Sequence, residues 1–110
     1  MSYKVLAIPP FDRQLKKLAK KYPSLKREFL ALIESLEMNP VQGSFIGKNC
    51  YKVRLAIASK GRGKSAGGRV ITNLVVSDTT VFLLSIYDKS EKATLSDQEL
   101  LDLLDQIPEP

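Results

Sequence analysis

Residues 51–58 read Tyr51-Lys52-Val53-Arg54-Leu55-Ala56-Ile57-Ala58. Tyr51, Val53, Leu55 and Ile57 fall on alternate positions, with Lys52, Arg54, Ala56 and Ala58 between them. Successive side chains of a strand point to opposite faces, so this period of two predicts a half-buried strand with Lys52 and Arg54 on one face. Residues 59–68, Ser-Lys-Gly-Arg-Gly-Lys-Ser-Ala-Gly-Gly, are too rich in glycine and polar groups for regular structure and predict a basic connection. Two further strands are expected at 69–76 and 81–88, joined by Ser77-Asp78-Thr79-Thr80, a short polar segment suited to a hairpin.

The flanks supply helices. Before the strands, Tyr3 to Ile8 is a short apolar run closed by Pro9-Pro10 and reads as a first strand. Phe11, Leu15, Leu18 and Tyr22 then recur at helical spacing, with Arg13, Lys16, Lys17, Lys20 and Lys21 on the remaining surface. Pro23 separates this helix from a second one marked by Leu25, Phe29, Leu32, Ile33 and Leu36, which must fail before Pro40. At the other end, Ser96 and Glu99 form a capping box, with Leu95 and Leu100 placed as a hydrophobic staple. The helix that starts there turns Leu100, Leu103, Leu104 and Ile107 to one side and stops at Pro108. The order is β-α-α-β-β-β-α, an α+β chain with a helical hairpin packed on a small, mainly antiparallel sheet.

With 110 residues, the chain is expected to form a single domain spanning 1–110. A 44% hydrophobic and 26% charged composition is that of a folded globular protein, and no apolar stretch approaches the ~20 residues of a membrane span. The N-terminus lacks the apolar core of a signal peptide and Cys50 has no partner for an internal disulfide, so a cytoplasmic location is expected. Histidine is absent, which excludes a His-based triad and a His-ligated zinc site; no cofactor is expected. Acid–base chemistry must therefore use Lys, Arg, Tyr, Glu or Asp.

The net charge of +5 conceals a division. Residues 1–76 hold 15 Lys/Arg against 4 Asp/Glu, and residues 77–110 hold 2 against 8. A basic body points to a polyanion such as nucleic acid, or to a solvated basic face. Residues 58–65 come within one residue of a phosphate loop, with Ala58 in place of the first glycine. That match fails on context, because a phosphate loop opens a helix and this segment leads into a strand. The informative feature is the cation set itself. Lys52, Arg54, Lys60, Arg62, Lys64, Arg69 and Lys89 converge if the strands are neighbours, a cluster suited to RNA phosphates. Tyr87 closes the last strand, where it can stack on a base, exchange a proton, or simply pack, while Lys89 can pair with Glu91.

The element order, the segment Tyr51-Lys-Val-Arg-Leu, the run Gly61-Arg-Gly-Lys-Ser-Ala-Gly-Gly-Arg-Val-Ile and the closing Ile86-Tyr-Asp-Lys-Ser-Glu-Lys-Ala-Thr-Leu together resemble the RelE/ParE superfamily of bacterial type II toxins, nearest its HigB-like branch. The resemblance implies a ribosome-dependent, metal-independent endoribonuclease that cuts mRNA and is silenced by a cognate antitoxin, a small helix-turn-helix DNA-binding protein. Carried across, it makes Lys52, Arg54, Arg69, Tyr87, Lys89 and Glu91 the candidate catalytic residues. Arg54 and Arg69 would stabilise the transition state, Lys52 or Glu91 would serve as base, and Tyr87 or Lys89 as acid. Lys60, Arg62 and Lys64, with Lys16, Lys17, Lys20 and Lys21 of the first helix, are candidate RNA contacts. Two other readings stay open: a ParE-like toxin that poisons DNA gyrase through a protein interface, and RNA binding without reaction.

Overall fold

The computed structural model describes residues 2–60 and 67–108. Strand β1 (Lys4–Ala7) leads into helix α1 (Pro9–Lys21), and helix α2 (Leu25–Met38) follows. Strands β2 (Ser44–Gly47), β3 (Cys50–Leu55), β4 (Gly68–Val75) and β5 (Thr80–Asp88) come next, and helix α3 (Asp97–Leu104) closes the described chain. The sheet runs β1-β5-β4-β3-β2, with β1 parallel to β5 and every other pairing antiparallel. This is the expected α+β architecture with one addition.

The addition is β2, which alternation could not reveal. Ser44-Phe-Ile-Gly is four residues long, and both Phe45 and Ile46 are exposed, so no buried face imposes a period of two. What forms the hairpin is its turn. Lys48 and Asn49 adopt φ of 52° and 59°, the left-handed pair that a two-residue loop requires between twisted strands. At the other end of β2, Gly43 sits at φ +83°, where a Cβ would stand 2.2 Å from the Lys52 carbonyl oxygen. Only glycine lets these segments approach so closely.

The prolines at the head of α1 occupy its first two positions, where their missing N–H groups leave no helical bond unmade. Asp12 in the first turn and Lys20 and Lys21 in the last turn match the helix dipole. Phe11 is fully buried and meets Phe29 of α2 at a ring separation of 5.6 Å. Leu18, Leu25, Leu32 and Leu36 complete the helical side of a core whose sheet side includes Val53, Leu55, Val70, Leu84 and Ile86. Where β1 ends, the β5 edge would be left unpaired. Gln14 of α1 covers it, its Oε1 accepting from the Ile86 amide at 2.9 Å and the Ser85 hydroxyl at 3.1 Å.

The first, fourth and fifth strands start or end a residue away from the sequence expectation, and two boundaries differ by more. β3 stops at Leu55, and Ala58–Lys60 form a short 3-10 turn where a strand to Ala58 was expected. α3 ends at Leu104, short of Pro108, and its last turn tightens: the Gln106 and Ile107 amides bond carbonyls three residues back. The capping box is present, with Ser96 Oγ accepting from the Glu99 amide at 3.1 Å and Glu99 Oε1 accepting from the Ser96 amide at 2.9 Å. Among the described residues no helix is long and apolar enough to cross a membrane.

Candidate functional site

Strand register brings the central candidates together. Arg54 pairs with Arg69 across β3 and β4, and Arg69 pairs with Tyr87 across β4 and β5. Directly paired residues share a face, so Arg54, Arg69 and Tyr87 form one row across three strands. Lys52, Ile71 and Ser85 form the next row on that face. The opposite face carries Val53, Val70, Ile86 and Asp88. Asp88 meets Tyr22, which caps the C-terminus of α1, on that face, and this places the helical hairpin behind the row.

The Tyr87 end of the row is covered by the segment leading into α3 and by α3 itself. Lys52 Nζ donates to Thr94 Oγ1 at 3.5 Å, so the segment preceding α3 crosses the face from β5 toward β3. A cavity of about 210 Å³ remains beneath α3, lined by Gln14, Ser85, Tyr87, Lys92, Glu99 and Asp102 among others. Arg69 is only 5% exposed and Tyr87 only 7%, whereas Arg54 is open to solvent. Arg69 donates from Nη1 to the Gly68 carbonyl at 2.9 Å, which bends its guanidinium back along β4. Leu100 is buried, and Leu95, Leu103 and Leu104 pack on the same core, so apolar contact holds α3 down.

The electrostatics give Tyr87 a defined protonation state. Burial pushes its phenol above the ordinary tyrosine range, Glu99 adds to this, and the Arg69 charge opposes it without reversing it. The phenol therefore remains protonated at neutral pH. Its hydroxyl is buried and makes no hydrogen bond of good geometry among the described residues, with the Thr94 hydroxyl as the polar group beside it that slightly favours the ionised form. Glu99 is held at a pKa of about 2, chiefly by the Lys92 ammonium and by its capping bond to the Ser96 amide.

The remaining candidates scatter. Lys89 follows β5 half-buried, and its amide donates to the Gly67 carbonyl at 3.0 Å. Glu91 pairs with Lys21 of α1 at 3.2 Å rather than with Lys89. Lys60 stands on the helical side, its ammonium on the buried Asp88 carboxylate. That contact corrects its expected place among the converging cations: an ammonium this enclosed needs a counter-charge. Lys16, Lys17 and Lys20 are exposed on α1, on the other side of the sheet from the row. Arg62 and Lys64 lie outside the described residues. The sequence reading missed Thr94 and Glu99 beside Tyr87, because the capping box already accounted for Glu99.

The fold is that of a RelE-like α+β protein. No family model matches the chain. Among solved structures it is similar to the E. coli toxin RelE in the free state, in a form with two arginines replaced by alanine: 17% identity, TM-score 0.63, covering 98% of this chain and 100% of that one. It is also similar to the isolated E. coli RelE toxin, at 18% identity and TM-score 0.58 over 96% and 100% of the two chains. The toxin–antitoxin complex RelBE2 from Mycobacterium tuberculosis matches at 17% identity and TM-score 0.59, over 80% of this chain and 92% of that one. The chain thus has the fold of the RelE toxins.

Proposed function

We propose that this protein is the toxin of a type II toxin–antitoxin system and cleaves mRNA on the ribosome. The observation that carries the reading is the Arg54–Arg69–Tyr87 row, two guanidinium groups and a protonated phenol in register on one face. The RelE-like fold supports it, since the solved structures sharing that fold include toxins and a toxin bound to its antitoxin. The HigB-like placement rests on the 61–71 run and on the segment from Ile86.

The chemistry follows from the residues. The RNA 2′-hydroxyl attacks the adjacent phosphorus and loses its proton, the P–O5′ bond breaks, and the 5′-oxygen gains a proton. The products are a 2′,3′-cyclic phosphate and a free 5′-hydroxyl. Arg54 and Arg69 offer planar donors to the charge that develops on the phosphate oxygens, with each well-placed donor worth about 3 kcal/mol. Tyr87, kept protonated by burial, suits donation to the leaving oxygen better than abstraction. Lys52, in the next row on the same face, is the candidate to take the 2′ proton, while Glu91 is engaged by Lys21 and Glu99 by Lys92. With no histidine near neutrality, much of the rate must come from alignment of the RNA by the ribosome.

A substrate reaching Tyr87 has to displace the 92–99 segment, which lines the cavity beside it. An antitoxin of complementary charge, acidic or apolar on its contact side, would meet the cationic body in the cytoplasm. Induced expression followed by mapping of mRNA 5′ ends tests the reading: codon-phased cuts support it, and DNA damage without new RNA ends would favour a gyrase poison instead.

A further inference from the structure

Asp88 follows Tyr87 directly, points to the other side of the sheet and is 1% exposed. Its carboxylate gathers three separate segments. Oδ2 accepts from the Tyr22 hydroxyl at 2.6 Å, and Oδ1 accepts from the Lys60 ammonium, the Ser90 amide at 2.9 Å and the Ser90 hydroxyl at 2.7 Å. Its main-chain oxygen accepts from the amides of Glu91 and Lys92 at 3.0 and 3.1 Å. One residue further on, the Lys89 amide holds the Gly67 carbonyl. Lys60 and Gly67 are the two stems of the basic connection, and both are tied to the end of β5, Lys60 through Asp88 and Gly67 through Lys89.

A buried ion pair adds little net stability, because desolvation offsets most of its attraction. Its effect is geometric: it admits one arrangement of the groups around it. Gly67 leaves no slack at the second stem, since a Cβ there would stand 2.2 Å from the Leu55 carbonyl oxygen. We infer that Asp88 is a positioning residue that fixes the Lys60 and Gly67 stems and the 89–92 turn against the back of the Arg54–Arg69–Tyr87 row. The inference rests on the reading of that row as an RNA-cleaving site.

Charge and position make opposite forecasts for Asp88→Asn. The substitution removes a negative charge and releases a lysine, so charge alone would tighten RNA binding and leave cleavage no slower. Positioning requires cleavage of mRNA on purified ribosomes to slow by about 10- to 100-fold at saturation, the scale of an ångström-sized misplacement, with KM little changed. Tyr22→Phe, which removes one donor and keeps the ring, should show the same kcat loss in milder form. Asp88→Asn combined with Lys60→Met removes the charge imbalance and should regain thermal stability without regaining kcat. Amide hydrogen exchange at residues 67–69 and 89–94 should quicken in all three variants, with the β4–β5 centre unchanged. Unchanged kcat and exchange in the folded variants, or tighter binding of a 2′-methoxy RNA with undiminished cleavage, would overturn the proposal. If the wild-type chain neither binds nor cuts RNA, the reading of the row fails, and the exchange measurement alone decides whether Asp88 fixes the stems.

Discussion

Arg69 and Tyr87 stand opposite each other across β4 and β5, share a face, and are both buried, Tyr87 against α3. In the proposed cleavage, the guanidinium is the charge stabiliser and the protonated phenol the proton donor.

Tyr87→Phe should separate stability from function. Among the described residues the buried hydroxyl makes no hydrogen bond of good geometry, an arrangement that costs about 1–3 kcal/mol. Removing it should raise the melting temperature by roughly 4–8 °C for each kcal/mol recovered, while cleavage falls about 100-fold or more if the phenol is the acid. Differential scanning calorimetry and single-turnover cleavage check the two halves.

Acid should weaken the fold in a defined window. Burial alone would raise the Asp88 pKa, but the bonds from Lys60, Tyr22 and Ser90 together hold it well below the usual carboxylate range. A depressed carboxylate contributes stability above its unfolded pKa of about 4, lost as pH falls through the folded value. Glu99, at about 2, adds a loss of the same sign between its ordinary value and that pH. Denaturant midpoints should therefore decline below about pH 4, and Asp88→Asn should flatten that decline.

The burial that protects the Tyr87 proton predicts behaviour at the alkaline end. Its ionisation, followed by ultraviolet absorbance as the difference between wild type and Tyr87→Phe, should fall above the ordinary tyrosine value of about 10. The neutral phenol is the favoured form, so its contribution to stability is present below that value and lost as pH rises through the folded pKa.

Much of this arrangement was legible in the sequence. Alternation placed Lys52 and Arg54 on one face, and the strands at 69–76 and 81–88 brought Arg69 and Tyr87 beside them, with boundaries one residue off. Local chemistry revealed the capping box at Ser96. Lys60 was misplaced because its partner Asp88 is 28 positions away and no local pattern announces a buried carboxylate. β2 was missed because Phe45 and Ile46 are both exposed, so burial leaves no periodic trace. The position of α3 over the row depends on which sheet face it meets, a tertiary choice that its own apolar stripe does not encode.

Two substitutions test the scaffold. Phe11→Ala should cost about 3–5 kcal/mol, since the ring is fully buried against Phe29. Gly43→Ala should cost about 1–3 kcal/mol from the left-handed backbone alone, with added cost from the clash at the Lys52 carbonyl, and should loosen β2 from β3. Urea titrations measure both, and exchange of the 44–47 amides locates the second effect.

Cleavage at the row is tested most directly by mapping mRNA 5′ ends after induced expression of wild type, Arg69→Ala and Tyr87→Phe, with each variant shown to be folded by circular dichroism. Wild type should produce new 5′-hydroxyl ends in phase with codons and arrest growth, Arg69→Ala should do neither, and Tyr87→Phe should cut far more slowly. Unchanged cutting by a folded Arg69→Ala protein, or growth arrest by wild type with no new RNA ends, would contradict it.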